Sequence, residues 1–333
     1  MRARRPLLLA ALLAACMVAA PACARDKKKK AAPADPDAHR FAVVGRRAAE
    51  GGEAALKAVL DDTSDDDLAF LVVTGIKGAQ EACGDRVYQK RRALFDKARR
   101  PVILSLSGDD WTGCRNSAGR TNAIERLNRL RELFYSEPEA LGRNKLPLTR
   151  LSSSPRFRSY AENAHWQVGK VLYATINLPA ANNHYLPAAG RNSEYEDRAV
   201  ANRFWLNRLF AIAKQDKVDA VVLFAEGNMQ PLLQPANGLR ALLQRAPTGH
   251  DGFADTRRQV QLRAAGFQGR VLVIDSGKLP LDAQPAISWR GNLGHLSVGT
   301  EAIELRVAGK GDNVFSLGAT LRAPAASGQS GRQ

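Results

Sequence analysis

Residues 68–78 read Leu-Ala-Phe-Leu-Val-Val-Thr-Gly-Ile-Lys-Gly. The apolar run Leu68–Val73 is cut off by Thr74-Gly75. A run that short, closed by a turn signal, predicts a buried strand and not a helix. The same pattern recurs on both sides. Arg40-Phe-Ala-Val-Val44 ends at Gly45, and Pro101–Leu106 ends at Ser107-Gly108. Between these runs lie Ala48–Leu60, helical in composition, and Asp85–Arg99, a basic amphipathic helix. Strand–helix–strand units repeating every ~30 residues predict βαβ crossovers and a parallel sheet.

The pattern continues downstream. Asn122-x-x-Glu125 has the form of a capping box. Ala123, Leu127, Leu130 and Phe134 then fall on one helical face, with Arg126, Arg129 and Arg131 expected on the solvated side. His165–Val168 alternates, and Val171–Ile176 reads as a strand. Asn177–Ser193 is a polar loop. Glu196–Lys214 predicts a strong helix, with Val200, Phe204 and Leu209 on one side. Ala220–Phe224 and Val271–Ile274 are again buried strands. The stretch between them is loop-rich, with a short helix expected near Leu239–Gln244. After Pro285 four strand-like pieces follow: Ala286–Trp289, His295–Val298, Ile303–Val307 and Val314–Thr320. No internal repeat or break divides residues 40–322, which read as one α/β domain. Residues 323–333 read as a loose tail.

The chain has 333 residues, 45% hydrophobic and 25% charged, an ordinary globular composition. No internal apolar run reaches about 18 residues, which excludes a polytopic membrane protein. Arg2, Arg4 and Arg5, the apolar Leu7–Ala20 and the small-x-small Ala22-Cys23-Ala24 make residues 1–24 a signal peptide. Leu13-Ala14-Ala15-Cys16 competes as a lipobox, with Cys16 as the lipidated residue. Either reading places the protein outside the bacterial cytoplasm: periplasmic, secreted or a membrane-anchored lipoprotein. Residues 25–39, with Lys27–Lys30 followed by Ala, Pro and Asp, read as a flexible basic spacer. Its lysines could also touch anionic headgroups. A membrane contact is expected only through that run or a lipid on Cys16.

The net charge of +16 falls to +13 once residues 1–24, with three arginines and no acid, are removed. Aromatics are only 6%, and arginine is spread along the chain. A nucleic-acid stripe with stacking aromatics is therefore not expected. An anionic small molecule or envelope polymer is the partner class that the charge favours. Cleavage at Ala24 leaves Cys83 and Cys114. An even count in an oxidising compartment predicts one disulfide, with two buried thiols as the alternative.

In α/β folds, ligands meet the loops at the carboxyl ends of strands. Those loops are Gly45-Arg46, Gly75-Ile76-Lys77, Gly108-Asp109-Asp110-Trp111, Glu226-Gly227-Asn228 and Asp275-Ser276-Gly277-Lys278. Their order resembles the calcineurin-like metallophosphoesterases, and more closely an exported bacterial branch of that superfamily. The segments that carry the resemblance are Phe41–Gly45, Leu68–Gly78 with Cys83, Lys90–Asp96, Ser107–Cys114, Glu125–Phe134 and Leu146–Arg150. Glu162-Asn163-x-x-Trp166 and Asn177-Leu-Pro179 with Asn182-Asn183 complete the set, which spans about residues 40–320. The resemblance implies a four-layer α/β/β/α sandwich of mixed sheets. It also implies two metal ions held by Asp, Asn and His from five loops, which generate hydroxide and clamp a phosphate.

Nearly every ligand position departs from that pattern. The first loop has Arg46 where the family has Asp, and the second has Ile76 at the bridging Asp. The third has Asp109-Asp110 and no Asn. The fourth reads Glu226-Gly-Asn228, and the fifth reads Asp275-Ser-Gly-Lys278 in place of Gly-His-x-His. A fixed cation at Arg46 repels dications by several kcal/mol at ~4 Å, even with an effective dielectric near 20. The remnant cleft is expected to hold Arg46, Lys77, Asp109, Asp110, Glu226, Asn228, Asp275 and Lys278. Asn182, Asn183 and His184 are candidates for a substrate loop.

Other chemistry is screened out by spacing. None of the five histidines forms H-x-H or H-x-x-x-H, and no G-x-S-x-G elbow or Walker loop is present. Gly294-His295-Leu-Ser297 lacks the second His. Asp109, Asp110 and Asp275 could hold one weak cation, or pair with Arg46 and Lys77. The sequence therefore predicts a non-catalytic binding protein for an anionic ligand or envelope partner, without cofactor. The alternative is a phosphoric ester hydrolase with a rearranged or single-metal site using Mn, Fe or Zn. A purely structural envelope component is the third reading.

Overall fold

A computed structural model describes residues 35–64, 67–187, 192–230, 249–277, 279, 283–308 and 314–321. Residues 1–34 with Cys16, the short helix expected near Leu239–Gln244, Lys278 and the tail from 323 lie outside the described residues. The compact unit begins at Asp35, so the last residues assigned to the spacer belong to the fold. The reason is local. Asp35 accepts the Asp37 and Ala38 N–H groups, and His39 Nε2 reaches the Tyr173 hydroxyl at 2.7 Å.

The buried strands fall where the apolar runs predict, while the helix at Ala254–Ala265 and the strand at Thr149–Arg150 were not read from the sequence. The first half holds β1 (His39–Val44), α1 (Arg47–Glu50), α2 (Gly52–Asp62), β2 (Phe70–Thr74), α3 (Asp85–Lys97), β3 (Val102–Ser105) and α4 (Ala123–Phe134). Then come β4 (Thr149–Arg150), β5 (Ala164–Val168), β6 (Val171–Thr175), α5 (Ala180–Asn183), α6 (Ser193–Gln215) and β7 (Ala220–Ala225). The chain closes with α7 (Ala254–Ala265), β8 (Arg270–Asp275), β9 (Ser288–Arg290), β10 (Leu293–Ser297), β11 (Ala302–Val307) and β12 (Phe315–Leu321).

Two mixed sheets result. The first runs β12-β11-β1-β2-β3, with β1, β2 and β3 parallel and β11 and β12 antiparallel. The second runs β4-β5-β6-β7-β8-β10-β9, parallel from β6 to β10 and antiparallel at both edges. Both sheets place the ends of their parallel strands at the loops singled out above.

Three buried clusters hold the elements. One packs β6, β7 and β8 side chains against α6 and α7, including Trp205, Leu209 and Val260. A second packs β1, β2 and β3 against α2, α3 and α4, including Leu56, Phe95 and Leu127. The third draws from both sheets, with Phe41, Phe70, Tyr173 and Phe224 in ring contact. Strands buried on both faces read as continuous apolar runs, which is why their positions are legible in the sequence.

Three helix expectations are corrected. Asn122 does not cap α4: its side chain donates to Glu125 Oε2 at 3.1 Å and bonds no first-turn N–H. Arg126 and Arg129 both pair with Asp85 on α3, and Arg131 makes two hydrogen bonds to the buried Glu162. On α6 the buried stripe is Arg198, Ala201, Asn202, Trp205, Leu206 and Leu209, while Val200 and Phe204 are exposed. That stripe lies about one residue, or ~100° of turn, from the expected face. Asn177–Ser193, read as a polar loop, holds only the short turn labelled α5, left-handed from Ala181 on, before α6 begins at Ser193.

Cys83 and Cys114 form the disulfide, across 31 residues of sequence. Among the described residues, no helix is long and apolar enough to cross a membrane.

Candidate functional site

The loops that leave β1, β2, β3, β6 and β7 meet around two buried carboxylates. Gly75 follows β2 with φ +78°, a conformation that favours glycine. A Cβ on Gly45 would lie 2.6 Å from the Gly299 carbonyl oxygen, so the first loop also needs glycine. These two residues let the chain turn sharply where the strands end.

Asp110 sits in a short 3-10 turn, Gly108–Asp110, that Ser107 caps. Its Oδ1 accepts the Ile76 N–H at 2.9 Å and the Lys77 N–H at 3.3 Å, and its Oδ2 accepts the Ser107 N–H at 2.8 Å. The β2 and β3 loops are thereby tied by one side chain. Complete burial pushes the Asp110 carboxyl up to about 7, against the three N–H groups that favour its charged form, and nearby Glu226 adds to the rise.

Glu226 ties the loops of the second sheet to the first. Its Oε1 accepts the Ser107 hydroxyl at 2.9 Å. Its Oε2 accepts the N–H groups of Gly108 and Ala180, both at 2.6 Å. The side chain is fully buried, and burial raises its pKa despite these donors and Arg46. Ser276 Oγ adds a second link between the sheets, to Thr74 Oγ1 at 3.1 Å.

Arg46 enters the same cluster. Its Nη1 lies 3.7 Å from Glu226 and 3.9 Å from Asp109, close enough for ion pairing and too far for a hydrogen bond. Its side chain is 16% exposed, and its buried Nε has no hydrogen-bond partner. Lys77 is buried and donates to the Gly78 carbonyl at 2.9 Å. Burial lowers its pKa, partly offset by Asp110, Asp109 and Glu81.

The remaining positions separate from this cluster. Asp275 accepts the Met229 and Gly277 N–H groups and pairs with His295 Nε2 at 2.8 Å. Asn228 is exposed and accepts the Gln230 N–H within its own turn. Of the two alternatives for Asp109, Asp110 and Asp275, one weak cation or pairing with Arg46 and Lys77, the structure shows Asp109 facing Arg46. Asp110 and Asp275 turn their oxygens to backbone N–H groups instead. Among the described residues, no three His, Cys, Asp or Glu side chains are grouped to hold a metal ion.

The substrate-loop candidates also take a structural part. Ala181, Asn182, Asn183 and His184 all have φ between 54° and 59°. Each left-handed residue costs roughly 1–2 kcal/mol, so the turn must be held from outside. Asn182 exchanges hydrogen bonds with the His250 carbonyl and the Gly252 N–H, and Asn183 donates to the Gly252 carbonyl. Buried Arg198 donates to the Asn183 carbonyl and side chain and donates two hydrogen bonds to Glu194. His184 is half-buried, with its ring edge on Trp111 at 4.8 Å, and burial lowers its pKa.

Sequence reasoning missed Ser107 as a site residue, and it missed Arg198. The signal for Arg198 is its spacing: residues 198, 201, 202, 205 and 209 share the buried stripe of α6, and Glu194 stands one turn before it.

Asp110 gives a pH prediction. A carboxyl raised from 3.8 to about 7 on folding contributes most below its unfolded pKa, and that contribution is lost as pH rises through 7. Between pH 6 and 8 the loss is on the order of 1 kcal/mol. His165, lowered by burial to about 4, acts with the opposite sign, but chiefly below its unfolded value of 6.5. The difference between wild type and Asp110→Asn removes that background. Urea midpoints should fall from pH 6 to 8 more steeply in the wild type than in Asp110→Asn. Parallel pH profiles would show that Asp110 is ionised throughout.

No protein-family model and no curated protein matches the chain. Among solved structures, the chain is similar to one described as GAP50, the anchor in the inner membrane complex of Plasmodium. The TM-score is 0.42 at 12% identity, covering 86% of this chain and 90% of that one.

Proposed function

We propose that this chain is an exported protein with a metallophosphoesterase-like fold, that ion pairs replace its dinuclear centre, and that it binds an anionic ligand or envelope partner without hydrolysing it. The three buried clusters support an α/β/β/α order of layers, since one draws from both sheets and the other two join a sheet to helices. The disulfide fits an oxidising compartment.

Arg46 is the observation that carries the reading. A guanidinium stands among the loop ends with its Nε unpartnered and its Nη1 beyond hydrogen-bond range of both carboxylates. Those donors suit an incoming anion better than a metal. The side chains present do not fit two metal ions: Ile76 offers no donor atom, and Asp110 and Glu226 already accept hydrogen bonds from neighbouring loops.

Elemental analysis of the mature protein, after incubation with Mn, Fe and Zn and desalting, should find near-zero metal per chain. Calorimetric titration with inorganic phosphate should show binding that weakens about tenfold in Arg46→Ala. Two metals per chain, or turnover of a generic phosphoester that Asp109→Ala abolishes, would replace this reading with the hydrolase one.

A further inference from the structure

Away from the loop-end cluster, a cavity of about 500 Å³ opens between the start of α4, the start of α6 and the turn that ends at His184. That is the size of a small-molecule site. Its lining divides by chemistry. Ile124 and Leu186 supply apolar wall, and they are 46% and 48% exposed. Two large aliphatic side chains left on the surface thus share one concavity.

The polar wall carries one arginine, Arg115, and one glutamate, Glu194. Arg115 lines it, and its Nη1 donates to the Gly119 carbonyl. Among the described residues Glu194 is the one carboxylate in the lining, and both of its oxygens accept from buried Arg198. Its charge is therefore met from within the protein. The hydroxyls of Thr112, Thr121 and Ser193 add hydrogen-bonding groups without charge. The ring of His184, in the lining, packs on fully buried Trp111, which lies outside it.

We propose that this cavity binds a small organic anion bearing an apolar group. Arg115 takes the anionic head, and Ile124 and Leu186 cover the apolar group. The proposal is independent of the Arg46 reading, since none of the residues in this lining belongs to the Arg46–Glu226 cluster.

Phenylphosphonate is a suitable probe because it has both parts and no ester bond to hydrolyse. Calorimetric titration, with inorganic phosphate present to occupy the Arg46 cluster, should find one further site per chain. Methylphosphonate, the head alone, and benzyl alcohol, the ring alone, should bind at least about tenfold more weakly. Arg115→Ala and Ile124→Asp should each weaken phenylphosphonate binding by about tenfold or more. Both positions are exposed, so the thermal midpoint should stay at its wild-type value. Arg46→Ala should leave phenylphosphonate affinity unchanged. No binding at up to about 10 mM probe would overturn the proposal. So would affinity that ignores Arg115→Ala, or affinity lost in Arg46→Ala, which would move the probe to the loop-end cluster.

Discussion

Glu226→Ala is expected to lose about 3–5 kcal/mol of folding stability, the effect of removing one partner from a buried charged cluster. The side chain has no exposed surface, and its two oxygens accept from Ser107 Oγ, Gly108 N–H and Ala180 N–H. Alanine would leave three buried donors unmet, each costing ~1–3 kcal/mol if water cannot enter. It would also leave Arg46 with only Asp109 at 3.9 Å. Glu226→Gln separates charge from acceptor geometry. The amide keeps one oxygen for the two backbone N–H groups, so the loss should be about half. Urea unfolding of both variants measures this directly. A loss under about 1 kcal/mol in Glu226→Ala would show that water replaces the carboxylate and that the loops do not depend on it.

The Cys83–Cys114 link carries the second large effect. Replacing both residues by alanine should cost about 3–4 kcal/mol, because a closed loop of 31 residues restricts the unfolded chain. The loop contains α3, β3 and the turn that bears Asp110, so the link also joins the start of α3 to that turn. Alanine is preferred to serine because Cys114 is 1% exposed and a buried hydroxyl would add its own penalty. Reduction of the wild type should lower its urea midpoint to that of the double variant, which should itself be insensitive to reductant. Equal midpoints for oxidised and reduced wild type would mean that the unfolded chain is already held compact by other contacts.

The strands were legible because each parallel strand is buried on both faces and reads as an unbroken apolar run closed by a turn residue. β1, β2, β3, β7 and β8 fall within two residues of the runs that announce them. The α6 face was misplaced because Arg198 and Asn202 lie on its buried side and Val200 and Phe204 on its exposed one. A periodicity argument counts apolar residues, so a polar pair inside and an apolar pair outside rotate its answer. Arg131 was misread for the same reason, since Glu162 meets it from 31 residues away. The left-handed turn at 181–184 had no local warning beyond its two asparagines, because its support comes from residues 250–252 and from Arg198.

By itself the sequence determined the α/β class, the places of the buried strands, the cysteines available for one link, and the loops in which charge gathers. These depend on neighbours in the chain, on turn chemistry and on the two faces each strand must bury. Only the tertiary structure decided what the charged residues do. It set Glu226 on Ser107 across 119 residues, drew Arg46 toward Glu226 and Asp109, and turned Asp110 and Asp275 to the backbone. The physical reason is that a buried charge must find its partner through space, and composition does not reveal which distant donor will be there.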